Sequence, residues 1–363
     1  MTIGYVLDDS LDRSDGVQQA MIAIAEHMRT LGHDVHYIVA QTERTDLQNI
    51  HSVGKLTALQ FNGNSIRTPI WVYRKKIKKL FNEFNFDVLH VQLPFSPVLA
   101  RTVIKLAPRH TRIVGTFHIL PYGKLSKIGT RLLGLVLRPA RMFDKVYAVS
   151  QPALDFMQQT FGLSGSVLAN PINYEFFHSF AGKKTQNSRL QYVFVGRFEE
   201  RKGVRQLVKA YEIMKQRRKV DLIMCGSGPL FNELVAYNES QKLGIEFKGF
   251  VAHEEKARYL SSADVAVFPS TGGESFGIVL AEAMASGSSV TIGGMNPGYA
   301  SVLGAWPETL FNAEEPQLIA QKLDEFALQN TLRTKLGSLQ HEAVKAYDIK
   351  LIAARLINEA YQR

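Results

Sequence analysis

Residues 270–287 read STGGESFGIVLAEAMASG. A pair of glycines and a Glu-Ser-Phe-Gly turn lead into an apolar segment that holds one acid, Glu282. The run before it, DVAVFPS (264–270), has the length and content of a buried strand, and so has SSVTIGG (288–294) after it. Strand, glycine turn, helix and strand make a parallel crossover unit, and open parallel sheets bind ligands at the carboxyl ends of their strands. The chain is therefore expected to be an α/β protein with its chemistry on such loops.

The helical segment is apolar on every face, through Ile278, Val279, Leu280, Ala281, Ala283, Met284 and Ala285. Such a helix is buried. A carboxylate inside it needs a partner, because desolvating it unpaired costs several kcal/mol, of order ~2–7 even for neutral polar groups. Ligand hydroxyls would satisfy Glu282, and so would a backbone N–H or a basic residue from elsewhere in the fold. Glu274 stands eight residues earlier, in the turn. The N–H groups of Phe276, Gly277, Ile278 and Val279 lie where a helix start attracts phosphate.

The segment ESFGIVLAEAMASG resembles the Glu-x7-Glu donor motif of retaining glycosyltransferases with the two-domain GT-B fold, particularly bacterial phosphatidylinositol mannosyltransferases. The resemblance runs from residue 1 to about 310 and implies two doubly wound Rossmann-like domains facing across a cleft. The expected boundaries are 1–170, joined by a returning helix at 348–363, and 171–347. The first would face acceptor and membrane; the second would bind the nucleotide-sugar.

The same resemblance implies roles. Arg197 and Lys202, in the loop RFEERKG after the strand QYVFVG, match a diphosphate clamp. Without the match they read as a charged surface turn. Glu274 would hold hydroxyls of the transferred sugar and Glu282 the ribose, while Val251 and Lys256 fall where the base is lined. His118, in TFH at a strand end, would stand beside the reacting sugar, although a lone histidine there is more often structural. Gly16 matches a glycine that meets the donor phosphates, and Asp12 and Gln18 match acceptor positions. Three positions depart from the pattern. Asp15 replaces the first of two glycines, Asp9 replaces an aromatic residue, and His253 stands where guanine-using relatives often carry an acid.

Composition supports an enzyme of this size and adds a polarity. The chain has 363 residues and a formal net charge of +10. Residues 1–170 hold 20 Lys+Arg against 12 Asp+Glu; the remainder holds 23 against 21. The excess peaks between Arg67 and Lys145, where 16 Lys+Arg stand against Glu83, Asp87 and Asp144. Within it lies IWVYRKKIKKLFNEF (70–84), where Ile70, Tyr73, Ile77, Leu80, Phe81 and Phe84 recur at helical spacing. Arg74, Lys75, Lys76, Lys78 and Lys79 occupy the other faces. A helix over 70–84 with its apolar stripe inward and its cations toward anionic lipid is the expectation. A second basic stretch, with Lys124, Lys127, Arg131, Arg138 and Arg141, suits a lipid phosphate or a solvated face.

One cysteine, Cys225, excludes a disulfide framework and a cysteine-based metal cluster. The longest apolar run, LLGLVL (132–137), is too short to span a bilayer. No signal-peptide pattern opens the chain, so a cytoplasmic enzyme, peripheral at the inner face of the plasma membrane, is expected. Its expected partners are a nucleotide-sugar, GDP-mannose first, and an anionic membrane lipid, with neither nucleic acid nor an obligate protein partner. With no Asp-x-Asp motif, no dedicated metal site is expected, and magnesium would enter with the donor diphosphate. A UDP-sugar with diacylglycerol or a soluble acceptor keeps the chemistry and changes the substrates. A non-catalytic binder of anionic surfaces would have no use for Arg197, Lys202, Glu274 and Glu282 together.

Overall fold

The computed structural model describes residues 1–12, 15–61, 64–92, 98–121, 143–182 and 189–362. The basic stretch from Lys124 to Arg141 lies outside them. The chain forms two compact units, Met1–Pro171 with Ile349–Arg363, and Ile172–Asp348.

The first unit is built on a seven-stranded sheet. Its strands are β1 (Thr2–Leu7), β2 (Asp34–Val39), β3 (Ile50–Ser52), β6 (Val88–Gln92), β7 (Arg112–Phe117), β8 (Lys145–Ala148) and β9 (Ser166–Val167). They lie in the order β3-β2-β1-β6-β7-β8-β9, and every pairing is parallel. The chain winds outward from β1 in one direction, then returns to β6 and winds in the other. The switch point lies between those two strands.

Near-continuous apolar strands follow from a sheet covered on both faces. On one face, Ile3, Tyr5 and Leu7 pack with Met21, Ile24 and Met28 of helix Gly16–Thr30 and with Ile352 and Leu356 of helix Ile349–Leu356. On the other, Val6, Leu89 and Val91 pack with Ile77 and Leu80 of helix Arg74–Glu83 and with Leu99 and Val103 of helix Leu99–Leu106.

Residues 70–84 do not form one helix. Strands β4 (Gly54–Phe61) and β5 (Asn64–Val72) make an antiparallel pair, so 70–72 belong to a strand and the helix starts at Arg74. Ile70 and Trp71, expected near the helix, are 61% and 64% exposed. The cause is local. Ile70, Trp71 and Val72 are β-branched or aromatic and favour the pleated backbone, whereas the helix-forming Arg, Lys and Leu residues begin at 74. Tyr73 N–H still donates to the Val53 carbonyl at 2.8 Å, closing the ladder before the helix begins. Ile77 and Leu80 are buried inward as expected, and Arg74, Lys75, Lys76, Lys78 and Lys79 are exposed.

The second unit repeats the plan. Strands β10 (Leu190–Val195), β11 (Val220–Cys225), β12 (Glu246–Gly249), β13 (Val265–Phe268), β14 (Thr291–Gly294) and β15 (Leu310–Phe311) lie in the order β12-β11-β10-β13-β14-β15. Renumbered from β10, this is 3-2-1-4-5-6, the doubly wound order whose crevice lies at the switch between its first and fourth strands. The loops leaving those strands are 196–203 and 269–277. The fold is thus α/β with two Rossmann-like parallel sheets.

Candidate active site

The two switch-point loops of the second unit are held against each other closely. Gly203 has φ +66°, and a Cβ there would come within 2.0 Å of the Pro269 carbonyl oxygen. Only glycine fits that approach. Thr271 N–H donates to the Arg201 carbonyl at 2.9 Å, and the Ser270 hydroxyl oxygen lies 2.9 Å from the same carbonyl oxygen.

Glu274 is the centre of this junction. Its Oε1 accepts from Arg201 Nη1 and from Lys202 Nζ, each at 2.7 Å, and from the Ser270 hydroxyl at 3.0 Å. Oε2 takes none of these three bonds. Burial by itself would raise the Glu274 carboxyl; Lys202 and Arg201 outweigh it and hold the group down at about 2. Lys202 is pushed below the ordinary lysine range by burial, against the pull of Glu274. Arg197 pairs with Glu199 at 3.0 Å and is one-third exposed.

Helix Ile278–Ala285 begins beside this cluster. Its N-cap is Gly277, at φ +95°, with no side-chain cap and no acid in the first turn. First-turn N–H groups have no acceptor within their own helix. Here the N-cap residue has no side chain to supply one, and Leu280 N–H turns back to the Gly277 carbonyl at 3.0 Å; the helix start and its macrodipole favour an anion. Phe276, buried against Tyr347, fixes the approach, and a Cβ on Gly277 would strike the Tyr299 ring at 2.6 Å.

Within the helix, Glu282 finds a basic partner from elsewhere in the fold. Lys256 Nζ donates to Glu282 Oε1 at 2.6 Å, with both residues buried. As at Glu274, Oε2 takes no part in that bond. Lys256 belongs to helix His253–Ser262, and its ammonium also lies over the Phe177 ring at 5.4 Å from the centroid. His253 stacks on Phe176 at 4.6 Å and meets Phe177 edge-on at 5.1 Å. Partial burial and the nearby Lys256 lower its pKa below the ordinary histidine value. Val251 is half-buried just before this helix.

At the carboxyl end of β6, Gln92 Oε1 sits 2.6 Å from Nε2 of His118, one residue beyond β7. His118 is 7% exposed, and burial pushes its imidazole down to about 3. Below them, His90 bridges Thr116 Oγ1 at 2.7 Å and the Tyr361 hydroxyl at 2.6 Å, tying the C-terminal turn to the sheet.

In the loop after β1, Asp12 accepts from Thr42 Oγ1 at 2.5 Å and Glu43 N–H at 3.0 Å through Oδ1, and from the Ser10 hydroxyl through Oδ2. Gln18 is buried and donates to Asp9 Oδ2 and the Ser10 carbonyl, each at 3.3 Å. Gly16 opens the following helix and is exposed. Asp8 caps helix Leu99–Leu106 by accepting from Leu99 and Ala100 N–H at 3.1 and 2.8 Å.

The structure brings Lys202 and Glu274 into direct contact, and likewise Lys256 and Glu282. His118, Asp12, Gln18 and Gly16 belong to the other unit. Arg201 and Gln92 are functional candidates that the motifs do not single out. The signal for Arg201 is the doublet Arg201-Lys202 ahead of a glycine; nothing local marks Gln92. Among the described residues, no group of three or more His, Cys, Asp or Glu side chains is placed to hold a metal ion. No helix among them is long and apolar enough to cross a membrane.

Residues 177–340 match the family described as "Glycosyl transferases group 1", and residues 14–176 match "Glycosyltransferase Family 4". A phosphatidyl-myo-inositol mannosyltransferase of Mycobacterium tuberculosis is 31% identical over 98% of this chain and 96% of its own length. An alpha-monoglucosyldiacylglycerol synthase of Streptococcus pneumoniae is 22% identical over 82% of this chain and 72% of its own. In fold, HepE of Anabaena, solved in complex with UDP and glucose, superposes with a TM-score of 0.74 at 17% identity, covering 99% of this chain and 98% of that one. The chain is therefore a glycosyltransferase of the group 1 and family 4 class, built on the GT-B fold.

Proposed function

We propose that the enzyme transfers a mannosyl group from GDP-mannose to a phosphatidylinositol-type membrane lipid, with retention of anomeric configuration. The observation that carries this reading is the Lys202–Glu274 junction beside an uncapped helix start. The full-length similarity to a phosphatidyl-myo-inositol mannosyltransferase supports the choice of substrates.

The second unit binds the donor. Lys202, Arg197 and the first-turn N–H groups near Phe276–Val279 meet the diphosphate, whose charge grows as the glycosidic bond breaks. This is electrostatic catalysis of the oxyanion-hole kind. An ammonium has three N–H donors, so Lys202 can keep Glu274 and still reach phosphate. Glu274 Oε2 accepts from hydroxyls of the transferred sugar, and Glu282 Oε2 from the ribose. The Lys256 and Val251 region lines the base.

The acceptor hydroxyl oxygen attacks the anomeric carbon, the bond to the diphosphate breaks, and the acceptor proton passes to the departing phosphate oxygen on the same face. No protein nucleophile takes part. Any magnesium travels with the diphosphate. His118 orients the sugar, and Gly16, Asp12 and Gln18 shape the phosphate and acceptor approaches. The exposed Arg74, Lys75, Lys76, Lys78 and Lys79 hold the enzyme on the inner membrane surface.

One observation favours a second reading. His253, stacked on Phe176, stands where guanine-using relatives often carry an acid, and an alpha-monoglucosyldiacylglycerol synthase is among the similar proteins. A UDP-sugar and diacylglycerol then replace GDP-mannose and phosphatidylinositol. Calorimetric titration with GDP and with UDP, followed by transfer to vesicles of each lipid, decides between them. Preference for GDP with transfer to phosphatidylinositol is expected; preference for UDP supports the second reading.

A further inference from the structure

We propose that Gln92 is a positioning residue that holds His118 as the neutral Nε2–H tautomer, leaving Nδ1 as a hydrogen-bond acceptor for a substrate hydroxyl. The substrate hydroxyl rests on the transfer reaction proposed above. The tautomer rests on geometry alone.

Two observations meet at this imidazole. First, Nε2 lies 2.6 Å from Gln92 Oε1, an atom that only accepts, so the proton must sit on Nε2. Second, Nδ1 is buried and has no hydrogen-bond partner among the described residues. A neutral imidazole with Nε2 protonated carries a lone pair on Nδ1. The opposite tautomer would bury an N–H with no acceptor while two acceptors faced each other at Nε2, a worse arrangement on both counts.

The surroundings keep the ring neutral. Burial depresses its pKa to about 3. A titratable neighbour on the same strands, His90, is bonded between Thr116 and Tyr361 and depressed by burial to about 3. Parallel pairing of β6 with β7 sets Gln92 opposite Thr116, two residues before His118, so the strand register fixes the amide beneath the ring. His118 therefore acts as an acceptor, with no proton of its own to give at Nδ1.

The direct test is nitrogen-15 NMR of the full-length protein labelled at histidine, with the His118 signals assigned by their loss in His118→Asn. Between about pH 6 and pH 8, around the ordinary histidine pKa, Nδ1 is expected to show the unprotonated shift and Nε2 the protonated one. An Nδ1–H tautomer or an imidazolium overturns the proposal, and neither depends on knowing the substrates. Gln92→Leu should give a mixture of tautomers; an unchanged pure Nε2–H state also overturns it.

Kinetics supply the functional half. Asn places an acceptor oxygen near the Nδ1 position, and Gln places one near Nε2. His118→Asn should retain at least about tenfold more turnover than His118→Gln, which corresponds to one acceptor bond to a hydroxyl. Equal or reversed activity overturns the acceptor role. In Gln92→Glu, the new carboxylate favours the imidazolium, so kcat should fall at low pH and recover as pH rises through the raised pKa. A profile identical to wild type overturns the positioning role. A complete lack of transfer by the wild-type protein would count against the proposed reaction, while the NMR result would still decide the tautomer.

Discussion

The two switch points of this enzyme share a strand order and differ in electrostatics. In the second unit, Arg201, Lys202 and Glu274 form a buried ionic junction beside an uncapped helix. In the first, the ends of β6 and its neighbour β7 carry a neutral Gln92–His118 pair over a His90–Thr116–Tyr361 network, and the loop after β1 carries the acids Asp8, Asp9 and Asp12. Topology provides a place for a ligand in both; residues decide which ligand. Fixed cations suit a leaving group whose charge grows. Neutral donors and acceptors suit hydroxyls, which must be oriented without changing their protonation. The chain's excess positive charge lies in residues 1–170, whereas the residues of this ionic junction all come from the second unit.

That contrast can be broken first at Lys202. Lys202→Ala should lower kcat by about 10²–10³-fold, the scale of losing one preorganised donor at a developing charge. Glu274→Ala should lose transfer to a similar degree. It also takes the carboxylate from Lys202 and leaves Arg201 its weaker pair with Glu199 at 3.5 Å, and should cost about 3 kcal/mol of stability in denaturant titration. A larger loss of turnover in His118→Ala than in either variant would reverse the assignment of charge to one unit and orientation to the other. The sign with pH follows from the depressed Glu274 carboxyl. Its stabilising contribution is complete above the ordinary carboxyl pKa of about 4.3 and is lost as pH falls through about 2.

A smaller effect sharpens the picture at the second glutamate. Lys256→Met leaves Glu282 buried without its cation, which should destabilise the unit by about 3 kcal/mol. Lys256→Met with Glu282→Leu should recover most of that stability yet still bind nucleotide at least about tenfold more weakly. Full recovery of nucleotide binding would make the pair purely structural.

The smallest effect belongs to the basic helix. Replacing Lys75, Lys76, Lys78 and Lys79 with Gln should weaken binding to anionic vesicles by roughly tenfold or more at low salt and leave nucleotide binding unchanged. Equal vesicle binding by the variant would remove this helix from the membrane contact.

Much of this was legible in the sequence. The apolar strands, the glycine turns and the all-apolar helix around Glu282 carry the α/β fold directly, because burial on both sheet faces leaves no polar alternation to misread. The contact of Lys202 with Glu274 was not legible. They are 72 positions apart, and only the adjacency of β10 and β13 brings their loops together. Gln92 was invisible for the same reason, since its role comes from β6 lying beside β7. Around residue 70, helical spacing of apolar residues competed with β-branched propensity, and the strand won through its pairing with β4. Asn62-Gly63, between two runs of strand-forming residues, is the hairpin signal that argued for it.

The central claim is that the ionic junction of the second unit holds the donor diphosphate. Calorimetric titration of the wild-type protein and of Lys202→Ala with GDP and UDP tests it most directly. Binding of GDP in preference to UDP by the wild type, weakened at least about tenfold in the folded variant, is the predicted result. Equal affinity in the two proteins, or no nucleotide binding by a folded wild type, would contradict it.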